Sequence, residues 1–472
     1  MKDNTTRELV GRIRSGGDFT PREEISLILR LAIPAVFAQI ANILMSCIDA
    51  AMVGSLGAEG PAAVGLVASS GWLLFGLGSA FITGYPVLAA HRIGAKDYGE
   101  ARSLLRQGLS VAVMTGSALA LPGVLARGAV PGLLGATPEI APIASSYFAI
   151  CTAGIPVLFA SFLAGSMLRS TGNIKTPALL NMLMCVEDVL FNALLIFPTR
   201  TVEVLGVSFT APGAGLGVTG AALGTFFAGM LTAALMLYTV CAKCPELALR
   251  GRPGRFLPEL SLFKRALKIG VPLGCQHIAM CVAQIALTLI VAPLGTVAIA
   301  ANSLALTAEG ICYMPGFGIS GAASSLTGQC IGAGRKDLAK RLARIAITLA
   351  MALMGAMGVI LFLAAPLIMG ILTPVSEIAS LGASVLRIQA FAEPLFAAAI
   401  VTGSVFSGAG YTLVPCLMNL GCMWAGRLPA AYFLSHLMGL KGVWIAMCGE
   451  IVFRGSLFLV HFAGGRWMKK KA

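Results

Sequence analysis

Long apolar runs, separated by short clusters of glycine, proline and charge, follow one another along almost the whole chain. Twelve of them fit a membrane-crossing helix, at approximate limits 31–54, 61–89, 107–126, 140–168, 176–197, 216–240, 269–292, 297–329, 345–370, 380–405, 412–436 and 442–463. A helix needs about 20 mostly apolar residues to cross the hydrocarbon core, and the longer runs imply tilt or extension beyond the bilayer. The run from Pro34 to Gly57 organises the rest, because it carries a single carboxylate, Asp49, with Gln39 and Asn42 on the same segment. An acid at such depth is costly, so it ordinarily faces a bundle interior or a watery path and serves an ion or proton. The alternative is a buried Asp that only hydrogen-bonds neighbouring helices.

The pattern also repeats. At a constant offset of 238 residues, Pro34 meets Pro272, Leu56-Gly57 meets Leu294-Gly295, Gly78 meets Gly316, and Ile93-Gly94-Ala95 returns as Ile331-Gly332-Ala333. Pro177 meets Pro415 and Asn181 meets Asn419; the offset then falls to 222, with Gly217 against Gly439, so the first half carries an extra external hairpin near Thr199–Ala214. Six helices per half is an even number, which makes the halves parallel repeats about an axis along the membrane normal. The predicted fold is an all-α membrane protein of twelve transmembrane helices, in two parallel six-helix lobes around a central cavity. Its expected divisions are an N-terminal segment 1–24, an N-lobe 25–241, a linker 242–268, a C-lobe 269–465 and a basic tail 466–472.

Composition agrees with the pattern. Of the 472 residues 57% are hydrophobic and only 11% charged, with mean hydropathy +0.87, against about 25% charged in soluble domains. Twenty-eight of the 34 Lys and Arg fall in segments on one side of the predicted bundle. The positive-inside rule therefore puts both termini in the cytoplasm, in a multi-pass protein of the plasma or inner membrane. The net charge of +14 follows from that topology, with the charges in membrane-adjacent loops; membrane lipid is expected as a partner, nucleic acid is not, and a monomer is expected. The first 24 residues lack the apolar core of a signal peptide, so the first span is expected to act as its own insertion signal. The Lys469–Lys471 tail reads as a solvated anchor. The 12 cysteines are scattered singly through apolar runs apart from Cys241 and Cys244, and free thiols are expected.

Six acids lie inside predicted spans: Asp49, Glu187, Asp188, Glu309, Glu393 and Glu450. Glu450 and Arg454 stand one turn apart and are expected to pair. Glu393 precedes Pro394 and is open to a structural or a functional role. Asp49 is matched by Leu287 in the second half, Asp188 by Gly426, and Glu309 by Gly71 in the first. The halves thus share scaffold and differ in charge, which points to ion coupling in the N-lobe. In the fifth span Asn181, Asp188 and Asn192 share one helical face, and Glu187 points about 100° away. Four scattered histidines and the lack of a phosphate-binding loop leave no catalytic constellation, so neither an enzyme nor a cofactor is expected.

Several motifs carry a resemblance. Asp49-Ala-Ala-Met-Val-Gly-x-Leu-Gly, the two Ile-Gly-Ala turns, Leu168-Arg-Ser-Thr-Gly-Asn173 before Thr176-Pro177, Tyr313-Met-Pro-Gly-Phe-Gly and Asn192-Ala-Leu-Leu-Ile-Phe together resemble the multidrug and toxic compound extrusion (MATE) family, in its DinF-like branch. The resemblance runs from Ile25 to Phe462. It implies an exporter of varied organic compounds driven by H⁺ or Na⁺, by alternating access of two lobes. The coupling residues it implies are Asp49, Asp188, Asn192 and Thr225, with Asp49 and Asp188 as a candidate monovalent-cation site. Gln39, Asn42, Glu187 and Glu309 are candidate substrate-cavity residues. In that branch the fifth-span acid follows an Asn by four residues; here Asp188 precedes Asn192, which leaves the choice of ion open. The seventh-span acid of the NorM-like branch is absent, that stretch reading HIAMCVAQ. A related reading is a flippase of lipid-linked oligosaccharide or peptidoglycan precursors, and a third is a channel or a non-transporting receptor.

Overall fold

The computed structural model describes residues 2–57, 59–204 and 207–468; the Lys469–Lys471 tail lies outside them. Among the described residues nine helices are long and apolar enough to cross a membrane: Pro21–Gly54, Glu59–Gly94, Tyr98–Leu125, Lys175–Leu195, Gly217–Lys243, Leu260–Leu294, Thr296–Gly332, Lys336–Leu372 and Leu440–Ala463. Two further spans are broken pairs, Ala141–Ala153 with Ile155–Ser170 and Ser376–Ala390 with Glu393–Gly408, bent by 43° and 57°. Each second half begins with a proline in its first turn, Pro156 or Pro394. A proline fits there because its missing N–H would be unpaired anyway, while it disfavours helix in the residue before it. The remaining span, 413–438, is interrupted by a π-helical stretch at Gly421–Arg427. In chain order these give the twelve expected spans, numbered here 1 to 12.

The ends differ from expectation. Span 1 starts ten residues early, at Pro21, because Thr20 and Glu23 form a capping box: the Thr20 hydroxyl accepts from the Glu23 N–H at 3.4 Å and the Glu23 carboxylate from the Thr20 N–H at 2.9 Å. The polar N-terminal segment contains a helix, Lys2–Ser15, that buries Leu9, Val10 and Ile13. The extra stretch of the first half is a two-stranded antiparallel hairpin, Pro198–Val204 with Val207–Ala214.

In lipid, helices gain little by hiding apolar surface from one another, so close packing of small residues holds them together. The two Ile-Gly-Ala turns show this directly. A Cβ on Gly94 would lie 2.2 Å from the Gln329 carbonyl oxygen, and one on Gly332 would lie 2.0 Å from that of His91. Residues 91 and 329 are themselves 238 apart, so the contact is the same seen from either repeat. Gly84 against Ala266 and Gly270 against Ala80 are equally tight, and His91 Nε2 lies 2.8 Å from the Gly408 carbonyl.

These contacts gather at the end that bears the basic loops. There the hydrophobic cores cross the repeat boundary: Leu27, Ile28 and Leu31 of span 1 join spans 8, 9, 10 and 12, while Leu262, Ala266 and Ile269 of span 7 join spans 2, 3 and 4. Towards the opposite end each cluster draws on one repeat alone, as around Val53, Ala63 and Phe148 in the first and Leu287, Ala365 and Trp444 in the second. The two bundles are therefore clasped at the basic end.

Candidate functional site

Each repeat holds a buried polar cluster. In the first, spans 1 and 5 bring three side chains together. Asn192 donates from Nδ2 to Asp49 Oδ1 at 2.9 Å and to Asp188 Oδ2 at 3.0 Å. Asp188 and Asn192 share a face because they are one turn apart, and both are fully buried, while Asp49 is partly exposed. Asp188 Oδ1 and Asn192 Oδ1 are buried with no hydrogen-bond partner. Two carboxylate oxygens bonded to one nitrogen lie at most about 6 Å apart. At an effective dielectric of about 20, unit charges at that separation repel by roughly 3 kcal/mol. A proton or a small cation between them removes that repulsion.

The surroundings explain how the cluster is held. Gly224 of span 6 backs Asn192: a Cβ there would lie 2.1 Å from Asn192 Oδ1. Tyr147 of span 4 stands close enough to both carboxylates to interact with them electrostatically. Neither residue was legible as a site residue, since Gly224 is one of 56 glycines and nothing in the spacing of Tyr147 marks it. Gln39 and Asn42 sit deeper along span 1, where Asn42 donates to Gln39 Oε1 at 3.2 Å and accepts from the Cys185 thiol at 3.6 Å. Glu187 turns away to span 6, accepting from the Thr232 hydroxyl at 3.4 Å. Thr225 makes no hydrogen bond to Asp49, Asp188 or Asn192; the span 6 residue that touches the cluster is its neighbour Gly224.

The second cluster belongs to spans 8, 10, 11 and 12. Glu309, expected on a cavity wall, is 4% exposed and sits inside this bundle, accepting from Gln389 Nε2 at 2.7 Å. Glu393 is fully buried and neither of its oxygens has a well-formed hydrogen bond, the adjacent Cys312 thiol being a weak donor. Glu450 pairs with Arg454 as the i,i+4 spacing indicated, Nε to Oε1 at 2.9 Å. It also takes two bonds from Arg427, at 3.0 and 2.5 Å, and Arg454 reaches Asn419 at 3.2 Å. Among the described residues no group of three or more His, Cys, Asp or Glu is arranged to hold a metal ion.

The MatE family model matches the chain twice, over residues 34–194 and 272–433. The two matches start 238 residues apart (272 − 34), the offset of the internal repeat. A probable multidrug resistance protein NorM of Thermotoga maritima is 27% identical over 463 residues, covering 96% of each chain. A probable multidrug resistance protein YoeA of Bacillus subtilis is 26% identical over 421 residues, covering 88% of each. Among solved structures, a MATE crystal structure in complex with MaL6 superposes with a TM-score of 0.85 at 22% identity, covering 97% of each chain. At that identity the structural likeness speaks for the fold alone.

Proposed function

This chain belongs to the MatE family, as a multi-pass membrane transporter and not an enzyme, and from that premise we propose that it exports drug-like organic compounds in exchange for H⁺ or Na⁺. The observation that carries the reading is the single amide of Asn192 held between Asp49 and Asp188. An uncompensated pair of acids at that depth costs free energy unless an ion occupies it, so binding and release of the ion can be tied to a change of shape. The multidrug resistance names of the relatives support the substrate class. Assignment to the DinF-like branch rests on the site residues.

In this reading the basic end faces the cytoplasm, and residues 25–241 and 269–465 are the lobes that rock about the linker 242–268. The clasp at the basic end corresponds to a state open outward, in which an entering ion reaches Asp49 first, because Asp49 is the exposed member of the pair. Asn42 and Gln39, about two and three turns from Asp49 along span 1, line the path that a substrate would share. Acids and not bases stand at this polar centre, which weighs against a carrier of anionic lipid-linked sugars.

The test is drug efflux from proteoliposomes under separately imposed pH and sodium gradients. Asp49→Asn is expected to insert normally and to lose ion-coupled efflux at least tenfold. Coupled efflux at the unsubstituted rate in that variant would remove Asp49 from the mechanism.

A further inference from the structure

We infer that the N-terminal helix roofs a binding site for the phosphate group of an anionic phospholipid. A cavity of about 430 Å³ lies at the basic end, between that helix, the start of span 1, the turn before span 5 and the end of span 6. Among the described residues that line it, Arg7, Arg14, Arg30, Lys175 and Lys243 are cationic and Glu246 is a carboxylate. Arg14 and Glu246 already satisfy each other, at 2.6 Å. Burial pushes the Glu246 carboxyl up, but the Arg14 hydrogen bond and charge more than offset this and hold it below its ordinary value. Arg7 and Lys243 add positive charge to the lining beside that pair. The N-terminus of span 5 opens onto the same cavity, with Thr171, Asn173 and Thr176 beside it, and its aligned peptide dipoles favour an anion.

The roof is a built feature. Beyond Glu246, Arg14 donates to the Thr171 carbonyl at 2.7 Å and to Gln329 Oε1 at 3.2 Å. Val10 presses on Gly172, whose φ of +87° only glycine adopts easily. Helix and cavity therefore form one unit that touches both repeats.

Two exposed apolar lanes say why the phosphate is a lipid's. On span 1 the face that carries Arg30 continues through Ile33 and Phe37, 50% and 56% exposed; on span 5 the face that carries Lys175 continues through Leu179 and Leu183, 52% and 41% exposed. These i, i+3, i+7 and i, i+4, i+8 progressions keep each lane on one side of its helix. Each helix thus passes from charged to exposed apolar side chains beside the cavity, the change expected at headgroup depth. A headgroup phosphate in the cavity would leave its acyl chains on those lanes.

The site goes beyond the coupling proposal and fails separately from it, since Asp49→Asn should leave lipid binding unchanged. The test uses the full chain in a zwitterionic detergent, titrated with phosphatidylglycerol, phosphatidylcholine or inorganic phosphate, with bound lipid read by native mass spectrometry. Phosphatidylglycerol should bind and raise the unfolding temperature; phosphatidylcholine and inorganic phosphate should do so far less. In the double variant Arg7→Gln/Lys243→Gln the affinity should fall roughly 30-fold, as expected for two lost surface charges. The control Lys264→Gln/Lys340→Gln removes equal charge elsewhere on the same end. Equal losses in both double variants, equal binding of phosphatidylcholine, or stabilisation by inorganic phosphate matching that by lipid would each overturn the proposal.

Discussion

The two repeats share a scaffold to within a few residues, yet they treat buried charge in opposite ways. In the first, Asp49 and Asp188 share one neutral amide. In the second, the contrast lies at Glu450, which is enclosed by the Arg427 and Arg454 guanidiniums, whereas Glu309 accepts from Gln389 and Glu393 forms no ion pair. Position 49 becomes Leu287, which is 3% exposed within an apolar cluster. A compensated network is costly to break but does not need an ion from outside. An uncompensated pair gives up little stability when one member is neutralised, and that is what a reversible ion site requires.

The largest expected effect tests this contrast from the second repeat. Glu450→Gln leaves two buried guanidiniums without their counter-charge, a change that typically costs about 3–5 kcal/mol. Denaturant or thermal unfolding in lipid-like micelles should show that loss plainly. Asp188→Asn in the first repeat removes half of a repelling pair, so the protein should be no less stable than the original, and more stable by up to about 3 kcal/mol when no ion occupies the site, while coupled efflux fails. Equal destabilisation by the two substitutions would mean that the clusters are both structural.

A smaller effect is expected from Gly224→Ala. Here the repeats differ by one methyl, because the 222-residue offset of this region pairs Gly224 with Ala446. The new Cβ would fall on Asn192 Oδ1 and push the amide off its two carboxylates. Overpacking of this kind costs about 1–3 kcal/mol, and efflux should drop with an altered dependence on ion concentration. If Ala is tolerated with the ion dependence unchanged, the position of the Asn192 amide does not matter to coupling.

How much of this could be read from the chain depended on distance along it. Apolar run length revealed the spans, and the fixed offset revealed the repeat, because both are local or periodic. One-turn spacings revealed Asp188 with Asn192 and Glu450 with Arg454. Contacts between helices were not legible in that way: Arg427 lies 23 residues from Glu450, and the approach of Asp49 to Asn192 came from a family resemblance and not from spacing. The Lys2–Ser15 helix escaped notice because its three buried apolar residues, Leu9, Val10 and Ile13, are too few to outweigh the charges around them. Thr225 is implied only by the family resemblance, and the close approach of its neighbour Gly224 to Asn192 leaves no mark in the sequence.

The smallest effect separates two neighbours on a single helix. Glu187 and Asp188 are adjacent acids in one membrane span, and composition cannot rank them. The turn of about 100° between them sends Asp188 into the shared site and Glu187 to a partly exposed position against Thr232, at a distance near the limit of a hydrogen bond. A single weak bond to a partly exposed group is worth at most about 1 kcal/mol. Glu187→Gln should therefore change stability by less than that and leave the ion dependence of efflux as it was, even if the preference among organic substrates shifts. Measured beside Asp188→Asn in the same vesicles, it should retain coupling where its neighbour loses it. A reversed ranking would place the working acid on the span 6 side of the helix and move the ion site away from Asn192.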